Sequence, residues 1–353
     1  MAIVKTASSA DTCPILVVPY MWIGDFVRCH SVVKVLNARW PHRPIDVLTT
    51  TRCEPLLRYM PGVRKGITVD LPRRKVALLQ HKALGDRLAA ENYATVLVMP
   101  RTWKSALAPF LAGIPERVGF VGEARFGLIN DLRWGESKLP RMIDRCGALA
   151  LPNEAILPTE WPLPALVVPK AEVAEWRNKQ DLASSGLVVA LAPGAVGPSK
   201  RWPASAYADI ARRLSADGIA VWLLGGPEEH SLASEIARAG GSDVHNLTGP
   251  DLRNAIVALA AANAAISNDS GLLHVAAALG TPSIGIFGPT SPWHWAPLNP
   301  LAATIESTIP LACRPCHKPI CHLEHHRCMN DIPASEVLKA TYEALKIAAA
   351  ANV

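Results

Sequence analysis

The stretch 268–274 (NDSGLLH) carries the residue types best suited to binding an anion. A short apolar run ends before it, and an apolar helical pattern begins at Gly271. Backbone N–H groups at the start of a helix are unpaired and lie at the positive end of the helix dipole, which favours a diphosphate there. Gly271 lets a ligand approach the backbone, and His274 follows one turn later on the same side. A plain helix cap by Asp269 or Ser270 is the structural alternative.

Two more loops of small and polar residues lie in the same half of the chain. In the loop at 192–203, Gly194 permits close approach of a ligand, while Lys200 and Arg201 supply positive charge for phosphates. This loop lacks the Gly-Lys-Ser/Thr of a Walker A motif, and a basic surface loop is its structural alternative. The third loop begins at Gly288 and reads GPTSP. Because each loop follows a short apolar run, we expect the three to meet at one edge of a parallel sheet.

In the first half of the chain, the candidate for proton transfer is Asp25, in the run Trp22-Ile23-Gly24-Asp25. A carboxylate beside a ligand crevice can act as a general base that takes a proton from a hydroxyl group. Such a base works best with a raised pKa, which partial burial beside the indole of Trp22 would provide. The structural alternative for Asp25 is a helix N-cap.

Short apolar runs alternate with helical patterns along both halves, which is typical of parallel strands covered on both faces by helices. The predicted strands lie at 15–18, 45–49, 95–99, 187–191, 219–224, 264–267 and 283–287. The predicted helices lie at 27–40, 53–59, 83–91, 104–112, 204–217, 228–239, 271–279 and 334–350. This pattern predicts an α/β fold with two Rossmann-like, doubly wound domains.

The domain boundary is predicted within 151–170, where prolines are too frequent for a regular helix. We therefore expect an N-terminal domain at 1–165, a C-terminal domain at 166–333, and a final helix at 334–353 that packs back on the N-terminal domain. Two such domains would enclose a cleft with room for two substrates, with Asp25 facing Asp269 across it.

Composition limits the class of protein further. Half of the 353 residues are hydrophobic and 19% are charged, which is the balance of a globular protein. The net charge of +6 suits an anionic partner but is too small to argue for nucleic-acid binding. The chain shows no secretory signal pattern and no apolar stretch of the roughly 20 residues that a membrane span needs. We therefore expect a cytoplasmic protein whose eight cysteines are reduced.

In combination, these motifs resemble the family 9 glycosyltransferases, the ADP-heptose:lipopolysaccharide heptosyltransferases, and most of all the heptosyltransferase II type. The resemblance extends from about residue 14 to about residue 345. It is carried by DSGLLHVAAALG at 269–280, FGPTSP at 287–292, the loop at 193–203, and the stretches 104–107, 112–115, 117–120 and 127–131.

The resemblance implies a GT-B fold and inverting, metal-independent transfer of a heptose from ADP-heptose to the lipopolysaccharide inner core. It implies that Asp25 is the catalytic base and that Lys200 neutralises the donor diphosphate. The implied donor-binding residues are Gly194, Lys200, Arg201, Glu229 (or its neighbour Glu228), Asp269, Ser270, Gly271, His274 and Gly288. On the acceptor side, the implied residues are Gly24, Lys104 and Ser105.

The same resemblance implies the partners and the location of the protein. The donor would be an ADP-activated sugar, and the acceptor a phosphorylated lipid A–core molecule at the inner leaflet of the inner membrane. The protein would be cytoplasmic and peripheral on that membrane, with no nucleic-acid partner and no required cofactor.

Three stretches depart from the family pattern. The loop after the first strand reads PYMWIGD at 19–25, where the family has SWVGD, the loop at 193–203 is one residue shorter than in the family, and 293–295 reads WHW. Because such positions can contact sugars, transfer of a different sugar from another nucleotide-sugar is the alternative function.

A separate cysteine-rich segment comprises Cys313, Cys316, Cys321 and Cys328, with four histidines among them. Four soft ligands this close could hold one tetrahedral Zn²⁺, although reduced thiols or a disulfide fit the spacing as well. A zinc-dependent nucleic-acid-binding module is disfavoured because no aromatic residue accompanies the basic residues of this segment. A dehydrogenase is disfavoured because no G-x-G-x-x-G follows the first strand of either half.

Overall fold

The computed structural model describes residues 12–72, 75–139, 141–182 and 186–351. The chain divides into two compact units, Met1–Pro164 and Ala165–Val353. In the described part of each unit, six parallel strands form one sheet flanked by helices. Both halves are therefore doubly wound, as the alternation of apolar runs and helical patterns predicts.

The strands of the first unit are β1 (Ile15–Val18), β2 (Ile45–Thr49), β3 (Lys65–Thr68), β4 (Thr95–Val98), β5 (Glu116–Phe120) and β6 (Asp131–Arg133). Its helices are α1 (Ile23–Arg28), α2 (His30–Arg39), α3 (Glu54–Leu57), α4 (Leu78–Ala89), α5 (Trp103–Leu111) and α6 (Met142–Ala150). The strand order is β3-β2-β1-β4-β5-β6. The chain reverses its direction of winding between β1 and β4, so this sheet has its topological switch point there.

The strands of the second unit are β7 (Val188–Ala192), β8 (Ala220–Leu223), β9 (Val244–Asn246), β10 (Ala264–Asn268), β11 (Ser283–Phe287) and β12 (Ala302–Glu306). Its helices are α7 (Lys170–Lys179), α8 (Ala204–Ala216), α9 (His230–Gly240), α10 (Leu252–Ala261), α11 (Gly271–Ala278), α12 (Pro292–Trp295), α13 (Arg327–Asn330) and α14 (Ala334–Ala351). The order β12-β11-β10-β7-β8-β9 repeats that of the first sheet, with the switch point between β7 and β10.

The final helix belongs to the second unit. Helix α14 contacts α8 and strands β10, β11 and β12, and its Val337 is fully buried in the core of that unit. The sheet of its own unit covers the apolar face of α14, and the expected packing of this helix on the N-terminal half stays a prediction.

The proline-rich segment between α6 and α7 contains no regular helix or strand in the described structure, as its composition predicts. It is anchored at Trp161, whose indole Nε1 donates a hydrogen bond to Asp144 Oδ1 at 2.9 Å. The ring lies directly over Gly147, where a Cβ atom would meet its carbons at 2.3 Å. This segment ends the first unit by packing on α6.

Candidate functional site

The predicted anion-binding loops meet at the switch point of the second sheet. Residues 193–203 follow β7, residues 269–271 follow the adjacent strand β10, and residues 288–291 follow β11 on its other side. All three strands are parallel, so these loops leave the same edge of the sheet. The carboxyl ends of strands at a switch point are where open α/β sheets bind ligands.

At this edge, Asp269 joins the three loops through its carboxylate. Its Oδ2 accepts hydrogen bonds from Lys200 Nζ at 2.7 Å and from Thr290 Oγ1 at 2.8 Å. The carboxylate is 8% exposed and the lysine side chain 30% exposed. A buried carboxylate needs such partners, and it fixes the ammonium group at the mouth of the loops. An ammonium group has three N–H donors, and Asp269 uses one.

Asn268, the last residue of β10, is fully buried and holds the loop at 193–203 in place. Its Oδ1 accepts hydrogen bonds from the backbone N–H of Trp202 and from the hydroxyl of Tyr207, both at 3.1 Å. Its Nδ2 donates to the carbonyl of Pro193 at 2.7 Å. One side chain at the end of β10 therefore holds both ends of the loop that carries Lys200.

Helix α11 begins at Gly271, as predicted, and Ser270 occupies its N-cap position. In the described structure, no side-chain hydrogen bond caps this helix; the Ser270 hydroxyl instead lies 2.9 Å from that of Ser267. The capping alternative for Ser270 is therefore not what the structure shows. His274 is buried in the helix, with 7% of its surface exposed. The first turn of α11 therefore has no side-chain cap in the described structure, which is the arrangement that suits an anion.

Glu229 lies against Gly194 at the other side of the loop after β7. A Cβ atom at Gly194 would approach Glu229 Cγ to 2.5 Å, so the absence of a side chain there makes room for the acid. Glu229 Oε2 accepts a hydrogen bond from the backbone N–H of Gly226 at 2.8 Å. Glu229 is half-buried and Glu228 is exposed. Of the two acids, Glu229 is the one that the fold orients beside the loop.

The remaining predicted donor residues have different surroundings. Arg201 is exposed, and its Nε donates to the carbonyl of Ala195 at 3.1 Å. Gly288 packs against Met329, because a Cβ atom there would lie 2.2 Å from the thioether sulfur. This close packing accounts for a glycine at position 288, and its contact with a donor stays a prediction.

The cysteine-rich segment packs against the loop that carries Lys200. Ser199 is buried and makes three hydrogen bonds to this segment: its N–H donates to Pro319 O at 3.2 Å, its hydroxyl donates to Lys318 O at 2.5 Å, and its carbonyl lies 2.7 Å from His326 Nε2. Gly197, with φ of +95°, lies against Pro319. The segment therefore supports the backbone next to Lys200.

The same segment reaches the loop after β11. The guanidinium of Arg314 donates from Nε to Gly288 O at 2.6 Å, and the N–H of His317 donates to Pro289 O at 3.0 Å. The segment thus bridges two of the three loops at the switch point. We refer to residues 313–328, in this role, as the loop brace.

The zinc expectation for the loop brace is not supported. The described residues contain no group of three or more His, Cys, Asp or Glu side chains placed to hold a metal ion. Cys313, Cys316 and Cys321 are half-buried free thiols, and Cys328 is a buried one. Burial raises the pKa of the Cys328 thiol, and the neighbouring thiols raise it further. The backbone of the segment is hydrogen-bonded to the two loops.

In the first unit, Gly24 and Asp25 lie in α1, directly after β1 at the switch point of that sheet. Gly24 is buried, and Asp25 is half-buried in the first turn. Trp22, rather than Asp25, occupies the N-cap position, so the capping alternative is wrong. Trp22 itself is 45% exposed.

The predicted acceptor residues Lys104 and Ser105 follow β4, on the other side of the same switch point. Lys104 Nζ lies 3.4 Å from the carbonyl of Lys75. The Ser105 hydroxyl donates to main-chain carbonyls of its own loop, at 2.6 Å to Thr102 O. Ser105 therefore shapes the loop that presents Lys104.

The side chain of Arg125 joins the loop after β4 to the end of β5, and it was not predicted from the sequence as a site residue. Its side chain is almost fully buried and donates to the carbonyls of Phe120, Pro100 and Val98 at 2.8, 2.6 and 3.3 Å. Burial lowers the pKa of its guanidinium. In the sequence, Arg125 lies two residues after Glu123 in a loop, and nothing marks it as interior.

Two Rossmann-like units in one chain, the second with a basic, glycine-bearing loop at its switch point, are the architecture of the GT-B glycosyltransferases. The chain belongs to glycosyltransferase family 9 (heptosyltransferase), whose family model matches residues 81–326. This finding confirms the family and fold that the sequence motifs predict.

Among known proteins, the chain is similar to lipopolysaccharide heptosyltransferase 2 of Escherichia coli (strain K12), with 38% identity over 305 residues that cover 83% of this chain and 87% of the relative. It is also similar to lipooligosaccharide heptosyltransferase 2 of Haemophilus influenzae, with 36% identity covering 83% of this chain and 88% of the relative. The solved structure of E. coli ADP-heptose lps heptosyltransferase II superposes with a TM-score of 0.83 and 34% identity, covering 94% of this chain and 98% of the other. Among the described residues, no helix is long and apolar enough to span a membrane.

Proposed function

We propose that this glycosyltransferase transfers a heptose from ADP-heptose to the lipopolysaccharide inner core, with inversion and without a metal ion. The carrying observation is the contact of Lys200 and Thr290 with the Asp269 carboxylate at the second switch point. The names of the similar enzymes support the choice of sugar and acceptor.

On the donor side, the diphosphate would lie between Lys200 and the start of α11. The ammonium group keeps further N–H donors for phosphate oxygens while Asp269 holds it in place. The dipole of α11 and its backbone N–H groups favour the same negative charge. Together they would stabilise the leaving ADP, which is the task that a divalent cation performs in other transferases. Glu229, beside Gly194, would accept hydrogen bonds from the nucleoside.

On the acceptor side, Asp25 would act as the general base. Its carboxylate takes the proton from the acceptor hydroxyl as that oxygen forms a bond with the anomeric carbon of the heptose. The bond between this carbon and the phosphate oxygen breaks, and its electron pair leaves on ADP. Attack opposite the leaving group inverts the configuration. Lys104, beside the same switch point, would attract the acceptor's phosphates or carboxylates.

The acceptor named in the similar enzymes is a lipopolysaccharide, so we place the reaction at the cytoplasmic face of the inner membrane, with the protein bound there peripherally. The net charge of +6 suits a surface rich in anionic headgroups.

The test is ADP release from purified protein with ADP-heptose and a lipid A–Kdo acceptor. Asp25→Asn should lower kcat by about 10²–10⁴-fold, because the base is lost, while the affinity for ADP stays unchanged. Asp209→Asn is the matched control, since its carboxylate is 26% exposed and pairs with Arg212 and Arg213 on α8. Equal turnover of Asp25→Asn and wild type would remove Asp25 as the base. Turnover with UDP-sugars but not with ADP-heptose would instead favour the alternative donor.

A further inference from the structure

The start of α4 exposes apolar side chains that the core of the first unit does not use. Val76, Leu78 and Leu79 are 46%, 60% and 84% exposed. The face of α4 that packs on the sheet is formed by other residues, among them the buried Leu84 and Leu88. Exposed leucines that occur singly are ordinary, whereas neighbouring ones in one stretch indicate a surface that another phase or molecule covers.

The adjacent helix α5 adds to this surface. Helices α4 and α5 pack side by side, with Gly85 so close to Leu111 that a Cβ atom would lie 2.9 Å from the leucine Cβ. Phe110 and Leu111 are 43% and 45% exposed. Gly85 is about 10 Å along the helix from Leu78, at 1.5 Å per residue. The exposed apolar side chains therefore follow both helices rather than one isolated turn.

Basic residues accompany the apolar ones. Between residues 75 and 90, three charged side chains are basic, namely Lys75, Lys82 and Arg87, and all are exposed. The single acidic one, Asp86, is paired with Lys82 at 2.9 Å. Exposed apolar side chains with a basic surround are the pattern of an interfacial membrane contact, because the cations pair with anionic headgroups while the apolar groups enter the acyl boundary.

The position of this surface relates it to the chemistry of the first unit. Helices α4 and α5 begin after β3 and β4, so their first turns lie at the same edge of the sheet as Asp25. Lys104, in the first turn of α5, reaches the carbonyl of Lys75 just before α4. A contact made by the start of α4 would hold that edge of the unit near the membrane.

We propose that residues 75–79, at the start of α4, bind the interface of a bilayer that contains anionic lipids. Val76, Leu78 and Leu79 insert below the headgroups, and Lys75 and Lys82 pair with them. Only the reason for this contact, which is access to a lipid-linked acceptor, rests on the proposed function. Binding to bare vesicles tests the contact without that acceptor.

The experiment is co-sedimentation with vesicles of phosphatidylcholine alone or with phosphatidylglycerol added. Wild type should prefer the anionic vesicles and lose that preference in high salt. Leu78→Ser/Leu79→Ser should weaken vesicle binding by at least about tenfold, since two apolar side chains no longer enter the interface. Ile156→Ser is the matched control, because Ile156 is 97% exposed and lies far along the chain in the proline-rich segment.

A second variant, Lys75→Glu, should remove the preference for anionic vesicles while leaving the leucines in place. Turnover of a deacylated, water-soluble acceptor should be the same for wild type and the leucine variant. Unchanged vesicle binding of Leu78→Ser/Leu79→Ser, or an equal loss with Ile156→Ser, would overturn the proposal. So would conversion of a wild-type dimer to a monomer by the leucine variant, since the surface would then contact a second copy. Failure of wild type to use ADP-heptose would count against the proposed function alone.

Discussion

Replacing Lys200 with Met should separate a structural role of this residue from a role in donor binding. The substitution leaves the Asp269 carboxylate, which is 8% exposed, without its cation at 2.7 Å. Removing one partner of a fully buried pair costs about 3–5 kcal/mol, whereas exposed pairs contribute about 0–1 kcal/mol. Because the lysine is 30% exposed and Thr290 still donates to the carboxylate, we expect an intermediate loss of about 1–2 kcal/mol.

The assay is a double-mutant cycle with Asp269→Asn, read by thermal unfolding and by calorimetric titration with ADP. A loss of 1–2 kcal/mol should lower the Tm of the second unit by about 2–8 °C in Lys200→Met. The double variant should recover most of that loss, because no unpaired carboxylate remains. Its affinity for ADP should not recover, and both variants without Lys200 should bind ADP about 10–100-fold more weakly, as expected for one charge-assisted hydrogen-bonding group.

Recovery of ADP affinity together with stability would refute this reasoning. It would mean that Lys200 serves only to neutralise Asp269 and that the diphosphate binds elsewhere. Tighter ADP binding by Asp269→Asn alone would show that the carboxylate repels the donor more than it positions the lysine.

Three other substitutions test neighbouring parts of the molecule. Gly194→Ala should weaken ADP binding several-fold by displacing Glu229, which lies 2.5 Å from the added methyl group, whereas Gly249→Ala, in open space, should not. Burial lowers the pKa of the His30 imidazole below its usual 6.5. As the pH falls, this histidine is therefore protonated in the unfolded chain before it is protonated in the folded protein, and the free energy of unfolding decreases. His30→Gln should remove this dependence and flatten the Tm between about pH 6.5 and 5. His326→Ala should weaken ADP binding about fivefold, by loss of one hydrogen bond to the loop beside the lysine, and His326→Gln should restore part of it.

All inner strands of the two sheets except β5 could be predicted from the sequence, and the edge strands could not. Strands β1 and β11 have the predicted bounds, because each is a short, fully buried apolar run. Strands β3 and β12 lie at sheet edges, and most of their residues are exposed or half-buried. Such strands carry no apolar run, and only their pairing with an inner neighbour makes them strands. The predicted helix 27–40 is two helices that meet at Cys29.

The loops of the site could be predicted because each follows an apolar strand, and parallel strands bring the loops that follow them to one edge. The contacts between the loops could not be predicted in this way. Lys200 and Asp269 are 69 residues apart in sequence, and their pairing depends on β7 and β10 being neighbours in the sheet. Asn268 lies within the predicted motif, yet its role in holding the Lys200 loop follows only from its hydrogen bonds.

The loop brace shows how part of the chain outside the sheet can position the loops of the proposed donor site. Ser199 makes three hydrogen bonds with residues 318–326, and Arg314 donates a hydrogen bond to the carbonyl of Gly288. Two of the three loops therefore take their positions from the brace as well as from their strands. A substitution in the brace should change donor affinity and kcat together, because it moves Lys200 in the ground state and in the transition state alike. An effect on kcat alone would instead indicate that the brace contacts the reacting sugar.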